Sequence, residues 1–195
     1  MWQSPELNLY DHQSKVLKWM NKVESKNIKD SKGGVLFLDM GLGKTITSLE
    51  YLRRSKRRQA LIVCSKILVT EWVNQIKKFY GENGPSVFVF HNDFNKVKNV
   101  QSLTQYDIVI TTYNAVLSSN KVASGQKFSD SLIVKQDEGF VKKWIIKEQY
   151  KRRRTLNGAT GKNLLHTTKW DDLIIDECQN ITNWTTSSFQ SCYAL

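Results

Sequence analysis

Cysteine is scarce in this chain and poorly spaced for a cross-linked or zinc-held scaffold. Cys64, Cys178 and Cys192 are the only three. The count is odd and no C-x-x-C pair occurs, which speaks against a disulfide framework and against a zinc site, and in favour of a reducing compartment. The three histidines, His12, His91 and His166, have no ligand-like spacing with acids or cysteines, so no metal is assigned to them. No run of about 18 apolar residues exists, so no membrane-spanning helix is expected. The first residues, Met1-Trp2-Gln3-Ser4-Pro5-Glu6, lack a basic start and an apolar run, so no signal peptide is expected. There is no internal repeat. Acidic residues are also in deficit: 18 Asp and Glu face 29 Lys and Arg, a net charge of +11. A field of that sign favours a polyanionic partner. Nucleic acid is the first candidate, an anionic membrane surface the second, and a basic surface that merely solvates the protein the third.

What is present suits a folded domain. The 195 residues are 40% hydrophobic and 24% charged, enough for one core that buries roughly 70% of the unfolded surface. Residues 7–24 have a helical spacing, with Leu9, Val16, Leu17 and Met20 on one face and Asp11 as a capping residue. A polar loop ending in Gly33-Gly34 follows. Val35-Leu36-Phe37-Leu38 reads as a short buried strand, and a helix is expected from Lys44 to about Arg54. Ala60 to Cys64 is a second buried strand. Residues 67–80 form an amphipathic helix with Leu68, Trp72, Ile76 and Phe79 on one side. Val87–Phe90, Asp107–Thr112 and Leu173–Ile175 complete the strands. Continuous apolar strands alternating with helices predict an α/β fold, a mostly parallel sheet covered on both faces.

Two segments carry chemistry. Met40-Gly41-Leu42-Gly43-Lys44-Thr45 follows a strand signal and opens a helix. Its glycines let backbone N–H groups turn towards phosphate oxygens, and the helix adds its positive end. Lys44 would neutralise the outer phosphates of ATP, and the Thr45 hydroxyl would help hold Mg²⁺. The full G-x-x-x-x-G-K-[ST] pattern is not met, because Leu38 stands where the first Gly belongs. The second segment, Leu173-Ile174-Ile175-Asp176-Glu177, puts carboxylates at the C-terminal end of a strand, where ligands of parallel sheets bind. Asp176 would hold Mg²⁺ and Glu177 would orient and activate the attacking water. Alone, it could equally be an exposed acidic turn.

Taken together, these blocks resemble superfamily-two helicases, and most closely the Swi/Snf-like ATPases that translocate on double-stranded DNA. Leu9-Tyr10-Asp11-His12-Gln13, followed by Trp19, resembles the family's opening motif. Asp39 to Thr45 resembles its phosphate loop, and Leu61 to Lys66, with Trp72 and Phe79 behind it, the next motif. Tyr106 to Tyr113 is similar to the strand-end motif, and Trp170 to Gln179, then Ile181 and Asn183, to the acidic box. The resemblance implies the first RecA-like P-loop NTPase lobe of a DNA-dependent ATPase, with ATP and Mg²⁺ as cofactors and duplex DNA as partner. It implies that Gln13 reads adenine, and that Ser65, Lys66, Thr111 and Thr112 meet phosphates of the tracked strand. For Ser65 helix capping, and for the threonines β-propensity, are equally open. Ser65 replaces the family's usual Pro, Cys178-Gln179 a small residue with His or Gln, and Thr182 a frequent Lys. The Asp-Glu-Cys variant is also similar to NTPases of large cytoplasmic DNA viruses. The expected location is therefore intracellular, in nucleus, cytoplasm or a viral factory.

Tyr113 and Asp176 lie 63 positions apart, more than the family usually needs. Residues 117–168 are the expected insert. They hold Lys142-Lys143 and Lys151-Arg152-Arg153-Arg154 near Phe140, Trp144, Ile145 and Ile146, which suits either an added DNA-binding element or a plain surface loop. The run Arg53-Arg54-Ser55-Lys56-Arg57-Arg58 reads as a solvated helix end or a nuclear targeting run. In RecA-like lobes the strand after the acidic box lies between the phosphate-loop strand and the acidic strand. Here it would begin just past Leu195, with a second RecA-like lobe beyond it. The expectation is thus a lobe truncated before that strand, weak or inactive alone, with the strands ending at Leu38 and Ile175 facing a gap or pressed together. Two alternatives stay open: an RNA helicase or transcription-associated viral NTPase, and a nucleotide- and DNA-binding module that does not hydrolyse ATP.

Overall fold

The computed structural model describes residues 8–25, 33–55, 59–95, 102–124, 163–183 and 185–195. The chain divides into two compact units. One comprises Met1–Arg58 and Thr70–Pro85, the other Gln59–Val69 and Ser86–Leu195.

The first unit is built from helices. α1 spans Asp11–Ser25, α2 Lys44–Ser55 and α3 Val69–Tyr80. Their apolar spacings bury Leu17, Leu49, Leu52, Trp72, Ile76, Phe79 and Tyr80, each worth about 1.5–3 kcal/mol of transfer free energy. The Tyr80 hydroxyl donates to Leu49 O at 2.7 Å and ties α3 to α2. Tyr51 donates to Glu24 Oε2 at 2.9 Å and ties α2 to α1. Arg53 and Arg54, read from sequence as a solvated helix end, instead converge on one buried carboxylate. Arg53 Nε and Nη2 donate to Glu50 at 2.7 and 2.6 Å, and Arg54 Nε donates to it at 2.6 Å. Lys56 to Arg58 lie outside the described residues.

The expected strand at Val35–Leu38 does not form. Residues 33–39 carry no ladder, and Val35 and Phe37 are 58% and 88% exposed. An apolar run becomes a buried strand only where neighbouring strands satisfy its N–H and C=O groups, and no such neighbour exists among the described residues.

The second unit holds the sheet. β1 (Ala60–Cys64), β2 (Val87–Phe90), β3 (Ile108–Thr112) and β4 (Asp172–Ile175) are arranged in the order β2-β3-β1-β4. All three pairings are parallel, in the registers Ala60 to Ile108, Ala60 to Asp172 and Val87 to Ile108. The expected parallel α/β sheet is therefore present. The outer edge of β4 has no strand beside it among the described residues.

One face of the sheet is covered by α4 (Tyr113–Ser124), α5 (Leu164–Thr167) and α6 (Ser187–Tyr193). Val116, Leu164, Leu165 and Cys192 pack there against Leu61, Val63 and Val109. Both ends of the expected 117–168 insert thus belong to the domain itself. Residues 117–124 continue α4, and Asn163 to His166 are buried. His166 joins three helices: Ser119 Oγ donates to its Nδ1 at 3.0 Å, and its Nε2 donates to Ser191 O at 3.0 Å. The basic clusters at 142–143 and 151–154 lie outside the described residues.

Candidate functional site

The phosphate-loop half lies in the first unit. Between Asp39 and Lys44 the chain reverses with Gly41 at φ 84° and Gly43 at φ 76°, left-handed values that cost residues with a Cβ about 1–2 kcal/mol. The two glycines differ in their surroundings. A Cβ at Gly41 would meet open space, whereas one at Gly43 would overlap Gln13 Nε2. α2 starts at Lys44, and Thr47 N donates to Gly43 O at 2.9 Å. The N–H groups of Lys44, Thr45 and Ile46 therefore have no intrahelical acceptor, and the first turn contains no acidic residue. These are donors and a positive dipole end directed at one place, a ready anion site. The Lys44 ammonium donates to Leu38 O at 2.7 Å and to Asp39 O at 3.1 Å, folded across the mouth of the loop. Met40, 95% exposed, stands at the tip, with Leu42 beside it.

Two side chains from the start of α1 hold this loop. Gln13 is 6% exposed. Its Oε1 accepts from Tyr10 N at 3.1 Å and its Nε2 donates to Leu42 O at 3.5 Å. His12 Nε2 donates to the same carbonyl at 3.1 Å, and its ring stacks on Tyr10 at 5.7 Å. Gln13, expected to read adenine, has both ends of its amide engaged with the protein. His12 was not singled out from sequence as a support. The contact spans 30 positions, and no local pattern signals it.

The acidic half lies in the second unit. Asp176 N extends the β4 ladder to Val63 O at 2.9 Å. The chain then turns sharply at Glu177, whose φ of 55° is the only positive value at a non-glycine among the described residues. Glu177 N donates to Asp176 Oδ1 at 3.0 Å, Gln179 Nε2 donates to Glu177 Oε2, and Asn180 N donates to Glu177 O at 3.0 Å. The Tyr113 hydroxyl donates to Asp176 O and, at 3.3 Å, to Glu177 O. Burial raises the Tyr113 phenol above its ordinary pKa. Behind the turn, burial and then the Asp176 charge push the Cys64 thiol up to about 12. Asp176 and Glu177 are thus brought together on a wired, strained turn at the C-terminal end of a parallel strand.

The expected nucleic-acid contacts divide. Thr111 is fully buried and its hydroxyl donates to Phe90 O at 2.9 Å. Thr112 is 3% exposed and accepts from Ala115 N at 3.3 Å, capping α4. Packing and capping account for both. Ser65 begins the 3₁₀ turn Lys66–Leu68 but makes no side-chain cap bond. Lys66, 61% exposed, pairs with Asp93. The Lys66 hydrogen bond and then its charge hold the Asp93 carboxyl below the ordinary carboxylate value.

Comparison with known proteins bears on family and fold. The SNF2-related domain family matches residues 12–195. A putative helicase of Invertebrate iridescent virus 6 is 29% identical over 96% of this chain, and an uncharacterized ATP-dependent helicase of Schizosaccharomyces pombe is 29% identical over 96%. The chain spans 34% and 16% of these two relatives. Among solved structures, the Sulfolobus solfataricus SWI2/SNF2 ATPase core in complex with dsDNA aligns over all of this chain and 32% of its own, with a TM-score of 0.63 and 24% identity. That likeness shows the RecA-like fold.

Proposed function

The chain belongs to the SNF2-related domain family, and on that premise we propose that it is the nucleotide-binding lobe of an ATP hydrolase that moves along duplex DNA. The observation that carries this is the loop from Asp39 to Thr45. Left-handed Gly41 and Gly43, acceptor-free N–H groups at the start of α2 and the Lys44 ammonium converge there. That set fits a polyphosphate and little else: donors and positive charge gather at one backbone concavity. The backbone from Met40 to Gly43 would cradle the phosphates, with Lys44 exchanging two carbonyl partners for phosphate oxygens. Thr45 and Asp176 are the residues that would hold Mg²⁺, whose charge would offset that of the outer phosphates. Glu177 would accept the proton of the attacking water.

Gln13 is assigned to the adenine, an assignment that requires its amide to release Tyr10 N or Leu42 O. Of the residues expected at the nucleic acid, exposed Lys66 is assigned to a phosphate, with Ser65 beside it, whereas buried Thr111 and Thr112 serve packing and capping. Duplex DNA is favoured because the structural neighbour is an ATPase core bound to dsDNA. A second RecA-like lobe works against this one, consistent with relatives of which this chain spans 34% and 16%.

The test is ATP binding by calorimetry in the wild type and in Lys44→Ala. A charged hydrogen bond to phosphate is worth about 1.5–3 kcal/mol, so affinity should fall about 10- to 100-fold. Undiminished affinity would overturn the assignment. Stimulation of hydrolysis by duplex DNA, single strands and RNA then identifies the track.

A further inference from the structure

We infer that Tyr113 is a positioning residue for ATP hydrolysis, holding the turn that carries Asp176 and Glu177. The inference rests on the hydrolase reading above and goes beyond it, because it gives a role to a residue that reading does not use.

The argument begins with backbone geometry. Asp176 is the last residue whose N–H the sheet satisfies, through Val63 O. One residue later the chain is left-handed at Glu177. A side chain held there is strained and persists only where the surroundings over-determine it. Glu177 has no glycine-like freedom, so something must impose the conformation. One phenol grips both peptide groups of the turn. Tyr113 Oη donates to the carbonyl oxygens of both Asp176 and Glu177, the two peptide groups whose orientation defines the turn. Tyr113 is itself fixed at the first position of α4, directly after β3, and the Thr112 cap to Ala115 N locks that junction.

The remaining bonds are local. Glu177 N binds Asp176 Oδ1, and Gln179 binds Glu177 Oε2, so both carboxylates are aimed by the turn they ride on. Tyr113→Phe would take away the one side-chain group that binds both of these carbonyls, while the ladder bond from Asp176 N to Val63 O stays. The left-handed residue could then relax towards an ordinary conformation and swing the Glu177 carboxylate. A displacement on the order of 1 Å at a catalytic group costs about 100-fold in rate.

Tyr113→Phe removes one oxygen and keeps the ring, which packs against the core below. Tyr106→Phe, whose ring stacks on Phe88 at 4.6 Å, is the matched control with the same atom removed. The experiment measures kcat and KM for ATP in the full-length protein with its second lobe and saturating duplex DNA, with rates expressed per titrated ATP-binding site so that unfolded protein is not counted. The expected result for Tyr113→Phe is a fall in kcat of about 10- to 100-fold, with KM within about twofold of wild type, because the phosphate loop is untouched. Tyr106→Phe should match wild type. An unchanged kcat per site in Tyr113→Phe, beside normal wild-type turnover, overturns this inference alone. Equal losses in both variants overturn it too. A wild type that binds ATP but never hydrolyses it removes the hydrolase reading, and this inference with it.

Discussion

Gly43→Ala should cost this protein more than Gly41→Ala, although both glycines have left-handed backbone. At Gly41 the added methyl meets nothing within 4 Å, so the cost is the conformational one, about 1–2 kcal/mol. At Gly43 the same term applies, at φ 76°, and the methyl also overlaps Gln13 Nε2. Gln13 must then leave its place, giving up its bonds to Leu42 O and Tyr10 N at about 1 kcal/mol each. The total for Gly43→Ala is about 3–4 kcal/mol, a loss that a domain of about 5–15 kcal/mol survives. Urea denaturation of the two variants reads the difference. A double-mutant cycle with Gln13→Ala isolates its cause. With the amide gone, Gly43→Ala should fall back to about 1–2 kcal/mol, a coupling of about 2 kcal/mol. Equal costs at the two glycines, together with no coupling to Gln13, would refute the reasoning that Gln13 and Gly43 are fitted to each other.

Three further outcomes are expected. Burial pulls the Glu50 carboxyl upward, but the hydrogen bonds and charges of Arg53 and Arg54 outweigh it and leave the group below its ordinary value of 4.5. Its contribution to stability is therefore present above that value and lost as pH falls through the folded one. Acid unfolding of Glu50→Gln should lack this component, and identical acid curves for the two proteins would contradict it. Burial pushes Cys64 and Cys192 up to about 12, while Cys178 is half-buried. Iodoacetamide should thus label one thiol quickly in the native protein and three after unfolding, as counted by mass spectrometry. Asp93→Asn frees Lys66 from its ion pair, and duplex binding should tighten about two- to fivefold at low salt, the range exposed pairs support. Filter-binding titrations of Asp93→Asn, Lys66→Ala and the double variant would show it, and equal affinity in Asp93→Asn and wild type would exclude it.

The groups proposed to act on phosphate were legible because the chemistry demands particular residue types at short spacing. Gly41, Gly43, Lys44 and Thr45 lie within five positions, and Asp176 and Glu177 are adjacent. The groups that hold them in place were not. His12 reaches Leu42 across 30 positions, Tyr113 reaches Asp176 across 63, and His166 reaches Ser119 and Ser191 across 47 and 25. A hydrogen bond between distant segments leaves no periodicity in the chain, only two polar residues whose partners the fold chooses. The same limit misplaced the ends of the insert. Asn163 to His166 sit in polar sequence yet are buried, because Leu164 and Leu165 complete the cluster under α4.

The apolar runs make the complementary point, since similar composition had three outcomes. β1 and β3 each have a strand on both sides, and every residue in them is buried. β2 and β4 have a strand on one side, and each buries only one of its four residues fully. Val35 to Leu38 has none among the described residues, and there no ladder forms and Phe37 stands 88% exposed. Burial follows the number of hydrogen-bonded neighbours and not the hydropathy of the run. Desolvating an unpaired backbone N–H or C=O costs about 1–3 kcal/mol, comparable to what burying one Val or Phe side chain returns. An apolar run without a neighbour therefore gains nothing by leaving water. Hydropathy identifies which segments can be strands, and the ladder decides which of them are.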